Sequence, residues 1–316
     1  MIEQLKFELD RYEVKRGEIE TVFIGGGTPS TIDFHMFEDI FFLLSSYLSN
    51  SAEITTEANP NSATLHWLSG MKGLGIDRVS FGVQSFDDKK LEYLGRNHSS
   101  KVAIEAIQNA HKIGISNLSL DLIHGITSDN KEILKKDLDI AFSLPINHIS
   151  TYHLSIEKGT LFDKEGIKNK ENVQEQRWLY EEIRKRGFKQ YEISNFGTYI
   201  SKHNLGYWQY KNYIGLGAGA VGFYKDRRFY PKKSVDMYIK EPLAFKVEKL
   251  KHQDIKTEKI FLGLRSIVGF DSEILNEKEG KKAQILLKEG KIYEKNGKYF
   301  NNDYLLSDEI TLFILS

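Results

Sequence analysis

Four polar residues that could bind a small charged ligand lie at or near the ends of apolar stretches: Glu57, Gln84, Arg96 and Asp121. Carboxylates pair with an ammonium or accept from ribose hydroxyls, and a guanidinium pairs with a carboxylate. Together the four groups fit a zwitterionic nucleoside. Each residue taken singly also fits a capping or a buried hydrogen-bonding role.

A run of glycines, Gly25-Gly26-Gly27, follows an apolar stretch and precedes Thr28-Pro29. Glycine backbone can approach a ligand closely because it carries no side chain. Neither the P-loop pattern nor G-x-G-x-x-G is present, so the run fits no standard phosphate motif. The alternative is a tight turn between a strand and a helix.

An imidazole lies close in sequence to large aromatic rings in HNLGYW, where Tyr207 and Trp208 follow His203. Imidazole can ligate a haem iron and aromatic rings can stack on a porphyrin. A packed surface loop is the alternative. The nine histidines show no metal-motif spacing. His98, His124 and His153 stay open as other iron ligands.

The composition excludes several classes of protein. The 316 residues carry 44 Lys+Arg and 44 Asp+Glu, so no broad positive field for nucleic acid exists. Apolar runs are too short to span a bilayer, and the start lacks a signal-peptide pattern, which predicts a cytoplasmic protein. The absence of cysteine excludes disulfides and any iron–sulfur cluster held by thiolates of this chain.

Apolar, β-branched runs alternate with amphipathic stretches through the first two thirds of the chain, which predicts parallel strands covered by helices. The predicted strands are Thr21–Ile24, Glu53–Thr56, Arg78–Val83, Asn117–Ile123, His148–Leu154 and Gln190–Ile193. The predicted helices are 1–16, Phe34–Leu48, Ala63–Lys72, Lys101–Ile113, Lys131–Phe142 and Val173–Arg186. Six strands at this spacing favour a full or partial barrel.

The pattern changes near Gly197, and three domains are predicted: a barrel over 1–196, a Gly/aromatic-rich connection over 197–255 and a terminal domain over 256–316. The terminal domain combines helices with a hairpin that turns at Asn296-Gly297. We expect a small α+β, winged-helix-like module. Because the chain is neutral, a structural or partner-binding role is favoured over DNA binding.

Several stretches, in this order, resemble the oxygen-independent coproporphyrinogen III oxidase-like radical S-adenosylmethionine (SAM) proteins. They are VFIGGGTPS, TTEANP, RVSFGVQSFDDKKLEYLGRNH, LSLDLIHGI, ISTYHLSIEKGT, YEISNF, HNLGYW and YIGLGAGAVGF. The nearer branch is that of the HemW-type haem chaperones. Since the stretches are collinear and cover nearly the whole chain, the resemblance is far more specific than a lone glycine motif.

The resemblance implies an α/β fold with a partial (β/α)6 radical-SAM barrel and a C-terminal accessory domain. It implies SAM binding by Gly26, Gly27, Thr28, Glu57, Gln84, Arg96 and Asp121, with a backbone contact at Tyr152. HNLGYW fits the pattern H-N-x-x-Y-W, which the family links to haem. His203 is then the candidate ligand of the haem iron, with Tyr207 and Trp208 beside it.

One feature of the family is missing. Members carry C-x-x-x-C-x-x-C at the end of the first strand, and those thiolates hold a [4Fe-4S] cluster to which SAM binds. This chain has no cysteine and cannot hold the cluster. Met1 aligns with the helix after that strand, which leads us to expect an N-terminal truncation, with a natural loss of the cluster as the alternative. A chain without that strand is expected to be marginally stable or oligomeric.

The function that the resemblance implies is haem binding and transfer to apo-haemoproteins. An alternative is an oxidoreductase that forms protoporphyrinogen IX from coproporphyrinogen III, and a third is an inactive fragment without a cluster. Whether the chain is an enzyme stays open. The expected partners are haem and apo-haemoproteins, with no nucleic acid. Peripheral contact with membrane haem proteins and a homodimer are further expectations.

Overall fold

The computed structural model describes residues 1–159, 161–164, 166 and 168–316. Thr160, the last residue of one matching stretch, lies outside the described residues. The chain forms two compact units. The barrel unit comprises Glu20–Ser201, and the C-terminal unit comprises Lys202–Ser316 together with Met1–Ile19. The three-part division expected from the sequence stays a prediction.

Thirteen helices and thirteen strands lie in the described part of the chain. The helices are α1 Ile2–Arg11, α2 Glu38–Leu44, α3 Leu65–Gly73, α4 Asp88–Tyr93, α5 Ser100–Lys112, α6 Lys131–Ser143, α7 Leu161–Lys164, α8 Val173–Lys185, α9 Lys202–Trp208, α10 Val235–Lys240, α11 His252–Leu264, α12 Glu277–Lys288 and α13 Ser307–Leu315. The strands are β1 Ile19–Ile24, β2 Leu48–Ala58, β3 Arg78–Gln84, β4 Asn117–His124, β5 His148–His153, β6 Lys189–Gln190, β7 Asn195–Gly197, β8 Gly222–Tyr224, β9 Arg227–Pro231, β10 Phe245–Lys249, β11 Phe270–Asp271, β12 Ile292–Lys295 and β13 Lys298–Asn301.

A seven-stranded sheet with the order β1-β2-β3-β4-β5-β7-β6 is the frame of the barrel unit. The pairs β2–β3, β3–β4 and β4–β5 are parallel. Helices lie between these strands in the chain, as the alternating sequence pattern predicts. The carboxyl ends of four neighbouring strands therefore meet at one edge of the sheet.

Helix α5 illustrates how the covering layer is made. The Ser99 side chain caps it by accepting from the Val102 N–H, and its apolar stripe buries Ala103, Ala106 and Ile107. Full burial of a side chain such as that of Ile107 contributes about 1.5–3 kcal/mol, and an alanine methyl contributes less. The stripe packs against β3 and β4 and holds them in place.

The sixth predicted strand is wrong in position and direction. Instead of a strand over Gln190–Ile193, the chain forms β6 and then β7, and β7 runs antiparallel to β5. Between them the buried Glu192 carboxylate accepts from the Ser194 N–H at 3.2 Å, and the Tyr191 N–H donates to the Asn195 carbonyl at 3.2 Å. These contacts turn the chain back before a longer strand can form.

The helix predicted over Phe34–Leu48 is also shorter than expected. A 3-10 turn covers Phe34–Phe37, α2 ends at Leu44, and β2 already begins at Leu48. The sequence pattern missed this boundary because the apolar residues continue across it. The first predicted helix, over 1–16, ends at Arg11 in the structure.

The C-terminal unit contains the expected helices and hairpin. In the hairpin β12–β13, Asn296 and Gly297 have φ values of 53° and 74°, as a type I′ turn requires. Helix α12 begins at Glu277, and a 3-10 turn over Ser272–Ile274 precedes it. One apolar core joins these elements through Ile260, Leu264, Phe270, Ala283, Leu286, Ile292, Tyr299, Ile310 and Ile314.

Candidate functional site

The carboxyl ends of β2 to β5 bring most of the predicted SAM residues to one edge of the sheet. Glu57 pairs in register with Ser80, and Asp121 pairs with Ser150. Gln84 ends β3, and Tyr152 is the next-to-last residue of β5. This edge is where α/β barrels place their binding sites.

The glycine loop after β1 is attached to the same edge. The Gly26 N–H donates to Glu57 Oε2 at 3.2 Å. Gly26 and Gly27 have φ values of 76° and 66°, which glycine adopts without strain. A Cβ on Gly25 would lie 3.1 Å from the Glu57 carboxylate, so that position needs glycine for space. Thr28 closes the loop by donating its N–H to the Gly26 carbonyl at 3.0 Å.

Asp121 is a carboxyl whose pKa is raised by its surroundings. Burial raises its pKa to about 6, and the Glu57 charge acts in the same direction. Hydrogen bonds from Ser150 and Ser80 and the charge of Arg78 oppose the shift. The Ser80 hydroxyl donates to Asp121 Oδ1 at 3.4 Å. The two carboxylates of the predicted set are therefore close enough to influence each other.

Arg96 supplies the cation of this group. Its Nε is buried and has no hydrogen-bond partner among the described residues. Burial lowers the pKa of the guanidinium, and the negative charge of Asp121 opposes the shift. A buried N–H donor without a partner is costly unless a ligand satisfies it. A ligand carboxylate fits this position.

Gln84 has a backbone conformation that few non-glycine residues adopt. Its φ is 70°, and the register of β3 against β4 shifts between Phe81 and Gln84. Its amide nitrogen would lie 3.2 Å from a Cβ on Gly82, so the side chain lies over that glycine. Such strain persists where the surroundings fix it, and it concentrates at binding sites.

The predicted SAM residues thus lie together in the barrel unit. Tyr152 differs from the others because only its backbone is expected to contact the ligand. That backbone pairs with Ile123 of β4, and the residue as a whole is 44% exposed. The geometry of the other residues suits a zwitterionic nucleoside.

Sequence reasoning missed a further carboxyl at this end of β5. Glu192 is 1% exposed, and its Oε1 has no hydrogen-bond partner among the described residues. Burial raises its pKa to about 7, while hydrogen bonds from Ser194 and Asn195 oppose the shift. Glu192 lies inside YEISNF, a stretch given above only for its resemblance to the family. The acidic residue in that stretch was the signal that could have identified this carboxyl.

A buried polar chain at the opposite end of the sheet was also missed. His148 Nδ1 lies 2.7 Å from the Ser119 hydroxyl and 3.4 Å from Arg78 Nη2. His148 Nε2 lies 2.7 Å from the Tyr191 hydroxyl. Burial holds the pKa of His148 well below its usual range. At the amino ends of the strands, such a network serves stability rather than binding.

The predicted haem residues lie in the C-terminal unit, on helix α9. His203 Nε2 lies 3.0 Å from the Tyr207 hydroxyl, and the two rings are perpendicular with centroids 4.9 Å apart. Tyr207 also packs edge-on against Tyr213 at 4.7 Å. Trp208 ends the helix and is half-buried. The stretch HNLGYW is therefore helical and not a loop, and its role in haem binding stays a prediction.

The three other candidate iron ligands lie in the barrel unit. His98 donates to the Val83 carbonyl at 2.9 Å, and His153 donates to the Lys170 carbonyl at 3.1 Å. His124 is 4% exposed, and burial lowers its pKa to about 3. The two hydrogen bonds and the burial of His124 suit structural histidines.

Comparisons with known proteins identify the family of this chain. Residues 2–141 match the radical SAM superfamily. The haem chaperone HemW of Bacillus subtilis (strain 168) is 32% identical over 281 residues, which cover 84% of this chain and 74% of that protein. The chain belongs to the HemW-type family of radical SAM proteins.

A mitochondrial protein and a solved structure are also similar to this chain. The mitochondrial radical S-adenosyl methionine domain-containing protein 1 of Bos taurus is 32% identical, covering 79% of this chain and 62% of its own. Among solved structures, coproporphyrinogen III oxidase (HemN) from Escherichia coli, a radical SAM enzyme, has a TM-score of 0.77 at 17% identity. That match covers 93% of this chain and 77% of the other, and it confirms the predicted radical-SAM barrel fold.

The two cofactors that the HemW-type family implies fit this chain differently. SAM fits, because the loop has open space beside Gly26 and Gly27 and Arg96 has an unsatisfied buried N–H. The [4Fe-4S] cluster does not fit, because the chain has no cysteine. Among the described residues, no group of three or more His, Asp and Glu could hold a metal ion. No helix of the described part is long and apolar enough to cross a bilayer.

Proposed function

We propose that this protein binds haem and passes it to apo-haemoproteins in the cytoplasm. The observation that carries the proposal is the His203–Tyr207 pair on α9, within the stretch HNLGYW. The imidazole of His203 would ligate the iron, and Tyr207 and Trp208 would contact the porphyrin. Membership of the HemW-type family supports this proposal, since the named relatives are haem chaperones.

The barrel unit would bind SAM at the carboxyl ends of the strands. Arg96 would pair with the methionine carboxylate, and Glu57 and Asp121 would face the ammonium and the ribose hydroxyls. The loop Gly26–Thr28 would lie against the methionine end, Gln84 would donate or accept through its amide, and the Tyr152 backbone would contact the adenine side. Bound SAM would serve regulation or assembly, because this chain lacks the thiolates for a cluster.

Two other functions have weaker support. Oxidation of coproporphyrinogen III is favoured only by the fold of HemN, and a likeness at 17% identity supports the fold alone. An inactive fragment is compatible with the absence of cysteine, but it leaves the haem-type residues of α9 unexplained. Formation of protoporphyrinogen IX from coproporphyrinogen III under anaerobic conditions would decide in favour of the oxidase.

The proposed partners follow from the same site. They are haem and soluble apo-haemoproteins, and peripheral contact with membrane haem proteins is compatible with the proposal. Nucleic acid is not a proposed partner, because the chain carries equal numbers of positive and negative residues.

A hemin titration tests the function. We expect a saturable Soret shift with the intact chain. In His203→Ala we expect this shift to be lost and the affinity for hemin to be at least tenfold lower. His111→Ala is the matched control, because His111 is exposed near the end of α5, far along the chain from α9. Identical spectra for His203→Ala and the intact chain would contradict the assignment of the iron ligand.

A further inference from the structure

A cavity of about 310 Å³ in the C-terminal unit is not explained by the residues assigned so far. It begins at Tyr207, near the end of α9, and reaches β9 and α11. Its volume lies at the lower limit for ligand pockets. The lining residues that matter here are Tyr207, Tyr210, Tyr213, Phe223, Arg228 and Glu258.

The walls of this cavity are aromatic and fixed by backbone contacts. Tyr213 and Phe223 exchange two backbone hydrogen bonds, at 2.8 and 2.9 Å. Tyr210 packs against Phe223 with ring centroids 4.9 Å apart, and its own backbone has a φ of 60°. Rigid rings that enclose a slot of this size suit a flat, apolar ligand.

One side of the cavity is charged. Arg228 Nη2 lies 2.6 Å from Glu258 Oε1, and the Tyr210 hydroxyl donates to the other carboxylate oxygen. Lys211 also lines the cavity. The Arg228 guanidinium has further N–H donors beyond the one that reaches Glu258. The charged side therefore favours a ligand carboxylate.

Tyr207 connects the cavity to the proposed iron ligand. Its ring lines the cavity, and its hydroxyl lies 3.0 Å from His203 Nε2. A ligand that contacts His203 and the cavity together must be flat, mostly apolar and acidic at its edge. A porphyrin that carries propionates has these properties.

We propose that this cavity receives one propionate-bearing edge of the porphyrin, with the carboxylate on Arg228. The remainder of the macrocycle lies outside the cavity, because about 310 Å³ is too small for the whole ring system. The inference rests on the proposed function and adds the residues that select the acidic edge. Glu258 competes with the ligand for Arg228.

Iron-free protoporphyrin IX and its dimethyl ester test the cavity without iron ligation. Binding is measured by fluorescence anisotropy of the porphyrin. We expect Arg228→Gln to weaken the acid about tenfold and to leave the ester unchanged, because only the acid pairs with the guanidinium. Glu258→Gln should strengthen the acid severalfold, because it removes the competing carboxylate.

Arg227→Gln is the matched control, since Arg227 is the neighbouring arginine on β9 and does not line the cavity. Equal weakening by Arg227→Gln and Arg228→Gln, or equal weakening of acid and ester, would overturn the proposal. If either of these results is found while the hemin Soret shift is still lost in His203→Ala, the proposal for the cavity is overturned and the iron-ligand assignment stands. If Arg228→Gln selectively weakens binding of the porphyrin acid, the proposal for the cavity is supported. If His203→Ala at the same time leaves the hemin spectra unchanged, the assignment of His203 as iron ligand is contradicted.

Discussion

Two buried carboxyls of the barrel unit make its stability depend on pH. Burial raises the pKa of Asp121 to about 6 and that of Glu192 to about 7. A raised carboxyl pKa means that the folded chain holds a proton that the unfolded chain has released. Stability therefore falls as pH rises from the ordinary carboxyl pKa, about 4, to these raised values. His124, with a pKa lowered to about 3, acts oppositely and costs stability as pH falls below its ordinary value.

Glu192→Gln isolates one of these effects. At pH 8 the wild-type carboxyl is charged and buried, so the neutral amide should stabilise the protein by up to about 3 kcal/mol. At pH 4.5 the wild-type carboxyl is already mostly neutral in the folded state, so the gain should disappear. Urea unfolding of both proteins at the two pH values measures the difference.

Glu105→Gln is the control for this experiment, because the Glu105 side chain is 57% exposed on α5. Its effect should be small and similar at both pH values. A Glu192→Gln effect that is the same at pH 4.5 and pH 8 would show that the carboxyl is not titrating as described.

At the scale of elements, the glycine loop shows how backbone conformation decides a substitution. Gly27 and Gly73 both have open space where a Cβ would lie, but only Gly27 has a left-handed φ, of 66°. Gly27→Ala should cost about 1–2 kcal/mol, because the alanine Cβ approaches its own carbonyl there. Gly73→Ala, at the end of α3, should stabilise by up to about 1 kcal/mol.

Both glycines belong to the barrel unit, so one unfolding transition reports both changes. Urea midpoints should move in opposite directions for the two variants. Shifts of the same sign would mean that space rather than backbone conformation governs the loop.

At the scale of the whole molecule, an edge strand and exposed apolar side chains favour self-association. Strand β1 lies at one end of the seven-stranded sheet. In the segments after it, Ile32, Met36 and Phe42 are 47%, 71% and 85% exposed. Strand edges and apolar surface are the usual routes to self-association. The expectation of a marginally stable or oligomeric chain stays a prediction.

Sedimentation velocity over a concentration series tests that expectation. We expect concentration-dependent association that Phe42→Lys reduces, because the charge is placed on the most exposed of these side chains. Leu312→Lys, at a residue 71% exposed in the C-terminal unit, is the control and should change little. A monomer at all concentrations with a sharp melt at high temperature would contradict the prediction.

The family and the parallel strands could be predicted from the sequence, and so could the shared sheet edge of several candidate residues. The motif stretches are local, and periodicity over ten or so residues reports the strands and helices directly. Glu57, Gln84 and Asp121 could be placed at one edge because parallel strands carry their carboxyl ends there. The same reasoning failed for β7, because its direction depends on a turn around the buried Glu192.

Only the tertiary structure decided which side chains meet. Three features depend on residues that are distant in sequence. They are the effect of Glu57 on the Asp121 pKa, the burial that leaves Arg96 Nε unsatisfied, and the cavity bounded by Arg228 and Glu258. The same holds for the high pKa of Glu192, since burial is a property of the packed fold. Local pattern carries no information on such contacts, because their free energy arises only when separate elements pack together.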